Sequence, residues 1–85
     1  MYVVYVIQHN RTKEFYFGVT SNLKRRLLQH NSRQQRSTTR HSGKWILIYA
    51  EAYRDEKDAR EREKRLKHHG SGKHELKKRI HNSMI

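Results

Sequence analysis

The sequence predicts an α+β domain, a three-stranded antiparallel sheet flanked by helices in the order β-β-α-β-α-α. Three observations carry that prediction. Phe15, Phe17 and Val19 alternate with Tyr16, Gly18 and Thr20, the period of a half-buried strand, and the chain then passes straight into a helical pattern. Two other runs, residues 2–7 (YVVYVI) and 45–53 (WILIYAEAY), are rich in β-branched and aromatic residues. Beyond them the apolar residues thin to helical spacing, Ala59 with Leu66 and then Leu76 with Ile80 and Met84.

Taken in order, residues 2–7 read as a central strand with Tyr5 on the face opposite Val4 and Val6. Residues 8–14 are polar and contain His9-Asn10, a hairpin loop, so the first two strands pair antiparallel. Gly18 within the second strand signals a bulge or a close backbone approach. Thr20, Ser21 and Asn22 offer side-chain oxygens for a helix N-cap. The first helix is predicted over about Asn22 to Ser32, with Leu23 and Leu27 as its buried seam. Residues 33–44 form a polar, basic loop.

The third strand, 45–53, is the most apolar stretch of the chain. Asp55 caps a second helix over about Glu56 to His69, and Gly70-Ser71-Gly72 ends it. A last helix covers about Lys73 to Asn82. Of the acidic residues in the second helix, Glu63 shares the face of Ala59 and Leu66 and is best placed to point at the sheet. A carboxylate drawn towards a core needs a cation, and an arginine salt bridge is the ordinary solution.

Composition narrows the function. Eighty-five residues make one domain, 1–85, with a thin core. Leu, Ile, Val and Phe supply only one fifth of the chain. A homodimer or a protein partner is therefore an expected source of further burial. The absence of Cys excludes disulfides and thiolate metal sites. No apolar run is long enough to span a bilayer, and the first residues lack the pattern of a signal peptide, so a cytoplasmic protein is expected. Twenty Lys and Arg stand against eight Asp and Glu, a formal net charge of +12. An excess of this size points to a polyanion, above all nucleic acid. Lys24, Arg25, Arg36, Arg40 and Lys44 are the expected backbone contacts. The histidines other than His30 show no zinc spacing and read as surface residues.

One segment concentrates chemistry. At about 100° per residue Arg26 and His30 fall on one side of the first helix, and the strand before it carries Tyr16. A phenol, a guanidinium and an imidazole thus meet near one sheet edge, which reads as a phosphodiester site.

These residues resemble the GIY-YIG endonuclease family. The first of its two signature motifs is similar to Val3-Val4-Tyr5 and the second to Tyr16-Phe17-Gly18. Arg26 follows Tyr16 by ten residues, the spacing of the family's catalytic arginine, and His30 stands where many members carry a histidine. The segment EREKRLK resembles the late helix whose metal-binding glutamate falls on Glu63. The first motif lacks its Gly and Ile, and the second has Phe for Ile. Both substitutions keep the strand pattern and both tyrosines. The asparagine that some members carry after the glutamate helix has no assigned counterpart, Asn82 being the nearest. The resemblance spans roughly residues 2–80. It is strongest to small stand-alone bacterial members related to the N-terminal endonuclease domain of an excinuclease.

The resemblance implies a magnesium- or manganese-dependent endonuclease acting on DNA, more than on RNA, with structure-specific repair as its setting. Tyr5 would be the general base, with Tyr16 near the same phosphate. Arg26 would bind that phosphate, His30 would orient it or move a proton, and Glu63 would hold one metal ion. A free tyrosine titrates near pH 10, and Arg26 and a metal would favour the phenolate. Two alternatives remain open. One is a basic nucleic-acid-binding module that cleaves weakly or not at all. The other is a protein-interaction domain that uses the Trp45 strand.

Overall fold

In the computed structural model the chain forms β1 (Tyr2–His9), β2 (Phe15–Thr20), α1 (Leu23–Ser37), β3 (Trp45–Tyr53), α2 (Glu56–His68) and α3 (Gly70–Arg79). The structure describes the backbone of residues 1–37, 43–68 and 70–85, and the side chains of 1–32, 43–67 and 73–85. The sheet is antiparallel throughout, in the order β2-β1-β3. The predicted α+β class and element order are those observed, with β1 at the centre.

Register assigns the two faces. Val4 lies opposite Val19 and Val6 opposite Phe17, and these positions meet Ala59 and Leu66 of α2 and Leu76 of α3 in the core. The intervening positions, Tyr5 opposite Gly18 and Ile7 opposite Tyr16, point to the other face, where Tyr5 meets His30 of α1. Burying one Val, Leu or Ile is worth about 1.5–3 kcal/mol, so α2 and α3 hold the sheet with few side chains. Lys77 lies over the ring of Phe15, 4.4 Å from its centroid, and covers apolar surface that a small core leaves open.

Caps form where the sequence places them. Asn22 Oδ1 accepts the Arg25 N–H at 3.1 Å, and Asp55 Oδ1 accepts the Lys57 N–H at 2.7 Å. Three boundaries differ from expectation. α1 continues to Ser37, because residues 32–37 contain neither Gly nor Pro and include helix-favouring Arg and Gln. The predicted basic loop is therefore helix in its first half. α2 ends at His68, before Gly70-Ser71-Gly72 as expected, but the last helix begins earlier than Lys73: Gly70 already opens the first turn of α3, an end position where glycine is tolerated. α3 accordingly ends at Arg79, and a turn closed by Ser83 N–H to Ile80 C=O follows. Leu23 and Leu27 are half-buried rather than core, and Leu28 is exposed.

β3 is an edge strand. Its register slips between Val6 and Ile7, which leaves Ile48 without a partner on β1 and turns it into the core. Ile46 and Leu47 stand exposed beside it.

Candidate active site

The site is built on the α1 face of the sheet. Tyr5 is fully buried in the middle of β1, and its ring lies across Gly18, its partner on β2. A Cβ on Gly18 would stand 2.6 Å from Tyr5 Oη. The glycine thus makes room for a phenol, the close approach that a lone strand glycine signals. Tyr16, two residues earlier, stacks on Tyr5 with centroids 6.2 Å apart. His30, one helical turn past Arg26 on α1, closes the group. Its Nε2 hydrogen-bonds Tyr5 Oη at 2.9 Å, and its ring lies 4.6 Å from that of Tyr16.

Neither Arg26 nor Glu63 hydrogen-bonds the phenols, but both act on Tyr5 electrostatically. Arg26 is exposed and lines a polar cleft of about 310 Å³ with Thr20, Ser21, Asn22, Arg25 and Gln29. Glu63 is 17% exposed, the only acidic residue of α2 that is not on its outer surface. Its partner is Lys67, at 3.0 Å, not an arginine. Burial raises the Tyr5 phenol to about 12; Tyr16 and Glu63 add to the rise and Arg26 opposes it. The expectation that Arg26 favours the phenolate is thus outweighed by burial: the protein alone keeps Tyr5 protonated.

Of the expected nucleic-acid contacts, Lys24, Arg25 and Lys44 are exposed. Arg25 shares the polar cleft with Arg26, whereas Lys44 is held at the far end of the face by paired hydrogen bonds to Asn10. Arg40 and the side chain of Arg36 lie outside the described residues.

Three features escaped the sequence reading. His9 is buried, not a surface residue. Its Nδ1 accepts the N–H groups of Arg11 and Thr12, so it organises the β1–β2 turn, and its ring packs edge-on against Trp45 at 5.3 Å. Trp45 joins the same face, 6.4 Å from both Tyr16 and His30. The strand period from Tyr5 through Ile7 was a signal for His9; nothing local placed Trp45. On the opposite face Tyr49 and Tyr53 both donate to Glu51 at 2.5 Å, and Arg62 of α2 grips the same carboxylate at about 3 Å. The alternation Tyr-x-Glu-x-Tyr was the legible sign that these three share a face.

A family model described as the GIY-YIG catalytic domain matches residues 1–81. The chain belongs to the GIY-YIG family. The match joins both motifs in one domain, and the register shows why each needs the other: the tyrosine of the first rests on the glycine of the second. Comparison with curated proteins and with solved structures gives no match.

The GIY-YIG family is associated with nucleases that often use a divalent metal. Among the described residues no cluster of three or more His, Cys, Asp or Glu could hold a metal ion. The donor set fits a looser mode. Magnesium takes one or two carboxylates and keeps water and substrate phosphate as its other ligands. Glu63 supplies one half-buried carboxylate whose charge reaches Tyr5 at long range; it lines a cleft of α2 side chains with Lys57, Arg60 and Lys64, and the Lys67 ammonium beside it marks a position where positive charge is favoured. Among the described residues no helix is long and apolar enough to cross a membrane.

Proposed function

We propose that this GIY-YIG domain is a magnesium-dependent endonuclease that hydrolyses phosphodiester bonds in DNA. The observation that carries the reading is the joint one: Tyr5, Tyr16 and His30 in contact over Gly18, with Arg26 and Glu63 both in electrostatic reach of the Tyr5 phenol.

Phosphodiester hydrolysis needs a base for the attacking water, a cation for the phosphoryl oxygens and help for the leaving oxygen. Arg26 binds the scissile phosphate at the mouth of the polar cleft and offsets its growing charge. Tyr16, exposed at the same edge, donates to a phosphate oxygen. Tyr5 takes the proton of the water. Because burial holds Tyr5 as a phenol, it relays that proton rather than storing it: as the water oxygen bonds to phosphorus, Oη receives the water proton and its own passes to His30 Nε2, and the proton His30 gains is the one the leaving oxygen takes up, directly or through solvent, as its bond to phosphorus breaks. Glu63 would hold a metal ion, which would supply charge neutralisation at the phosphate.

The +12 charge supports a nucleic-acid substrate and predicts steep salt dependence of binding. DNA, a structure-specific repair setting and a cytoplasmic location belong to this reading. So does placement in the small stand-alone bacterial branch related to the excinuclease endonuclease domain.

A competing reading, a binding module without cleavage, draws on the Glu63–Lys67 ion pair, which already neutralises the carboxylate. Incubation with linear, nicked and branched DNA, with and without Mg²⁺, decides between them. Metal-dependent cleavage is expected, and Glu63→Ala and Arg26→Ala should each reduce it by about 10²-fold or more while DNA binding persists. Wild-type binding with no cleavage on any substrate would leave the binding module. Binding indifferent to salt would remove both.

A further inference from the structure

Beyond the groups assigned to phosphate chemistry, the α1 face carries a continuous row of rings. Tyr5 stacks on Tyr16, His30 sits against both, Trp45 lies 6.4 Å from Tyr16 and from His30, and His9 packs edge-on behind Trp45. The row is buried at its two ends and more open between them. Tyr5 and His9 are buried, Trp45 is partly exposed and Tyr16 is 43% exposed. A chain this poor in apolar residues would gain more from these two rings in the α2 face core. They stand instead at the surface, inclined at 67°, and form an angled step beside the Tyr5–His30 pair.

The step is held rigidly. The side-chain amide of Asn31 grips both backbone groups of Trp45: Oδ1 accepts its N–H at 2.8 Å and Nδ2 donates to its C=O at 3.3 Å. His9, anchored by the two amides of the β1–β2 turn, closes the side away from Tyr16. A ring fixed in this way loses little entropy on binding a flat partner. Cations stand at both ends, Arg25 and Arg26 at the cleft and Lys44 next to Trp45. Exposed aromatic faces between basic residues are the arrangement on which unpaired bases stack while the backbone is held by charge.

We propose that Tyr16 and Trp45 form a stacking step for an unpaired nucleobase, so that the site takes single-stranded or branched nucleic acid with a base turned out beside the bound phosphate. This rests on the nucleic-acid reading above and adds the substrate class. A base in a continuous duplex keeps its faces against its neighbours and cannot use the step.

Trp45 is the single tryptophan of the chain, so its emission reports on this place alone. The protein without added metal is titrated at fixed salt with a single-stranded oligodeoxynucleotide, an equal-length abasic chain and a blunt duplex, each end-labelled for anisotropy. The single strand should quench Trp45 about twofold or more, as ring-on-ring stacking requires, and the other two should bind with little quenching. Trp45→Leu should lower affinity for the single strand about fivefold or more and leave the abasic chain unchanged, and Trp45→Phe should restore the preference. Should Trp45→Leu fail to fold, the wild-type ratio of base-bearing to abasic affinity decides. Equal quenching and equal affinity for the single strand and the abasic chain would overturn the step and leave the nuclease reading standing. Binding to none of the three would overturn both. An emission change with protein concentration alone would make Trp45 part of a self-interface instead.

Discussion

Both faces of the sheet carry tyrosines, and they use them differently. On the α2 face Tyr49 and Tyr53 donate to one carboxylate, Glu51, whose remaining capacity is taken by Arg62. On the α1 face Tyr5 meets an imidazole and Tyr16 stands at the surface, with the arginine and the glutamate held off at longer range. Tyr5 and Tyr53 reach the same proton affinity, about 12, by different routes. Burial dominates for Tyr5; the hydrogen bond to Glu51 dominates for Tyr53. A raised phenol is therefore no sign of function by itself. The distinction is between a network whose donors and acceptors are satisfied and a group whose counter-charges leave space for a ligand.

The largest structural effect should come from opening the satisfied network. Glu51→Ala leaves Arg62 partly buried without its anion and strips two phenols of their acceptor. The loss should be about 3 kcal/mol, or about 12 °C or more in melting temperature for a domain of this size. The metal concentration that half-saturates cleavage should stay unchanged in the folded fraction. A change there would mean that the two faces are coupled through α2, where Arg62 and Glu63 are neighbours.

Gly18→Ala should produce a smaller stability change, about 1–2 kcal/mol by thermal denaturation, because the Tyr5 ring must shift to clear the new methyl group. Its cleavage rate should fall disproportionately, by about tenfold to a hundredfold, since a displaced ring loses its alignment with His30. Equal activity in Gly18→Ala and wild type would show that Tyr5 does not need its seat.

The smallest effects are those of pH on stability, and their signs differ. Burial works to raise Glu51, but hydrogen bonds from Arg62, Tyr49 and Tyr53 outweigh it and hold the carboxyl below its ordinary 4.5. Its contribution is thus present above pH 4.5 and lost as pH falls below, an acid loss that Glu51→Gln should remove. Tyr5 and Tyr53 are raised from 10.0, so their contributions are complete below pH 10 and lost as pH climbs towards 12. Denaturant midpoints across that alkaline range should flatten in Tyr5→Phe and in Tyr53→Phe, each by part of the slope.

Legibility in the sequence followed the range of the interactions. The caps at Asn22 and Asp55, the strand alternation of 15–20 and the Ala59–Glu63–Leu66 face are set within four residues, and the structure holds each of them. At Ser32 the reading slipped because residues 33–37 hold no helix breaker, and at Gly70-Ser71-Gly72 because the glycines that follow one helix also open the next. That Tyr16 and His30 come near one another was visible from the strand running straight into the helix, whereas Arg26, placed beside them by helical spacing, lines the neighbouring cleft. The nearness of Trp45 was not visible, since its place on the Tyr5 face depends on a one-residue slip between β1 and β3.

The sequence by itself determined the order of the elements, which residues within β1 and within β2 share a face, and a formal net charge of +12. These follow from the periods of helix and strand and from composition. Only the tertiary structure decided which tyrosines are closed off and which stay open to a ligand, that Gly18 is a seat for Tyr5, and that Trp45 borders the site. The physical reason is that all three depend on the register between strands distant in the chain, and register is a property of the whole packed sheet.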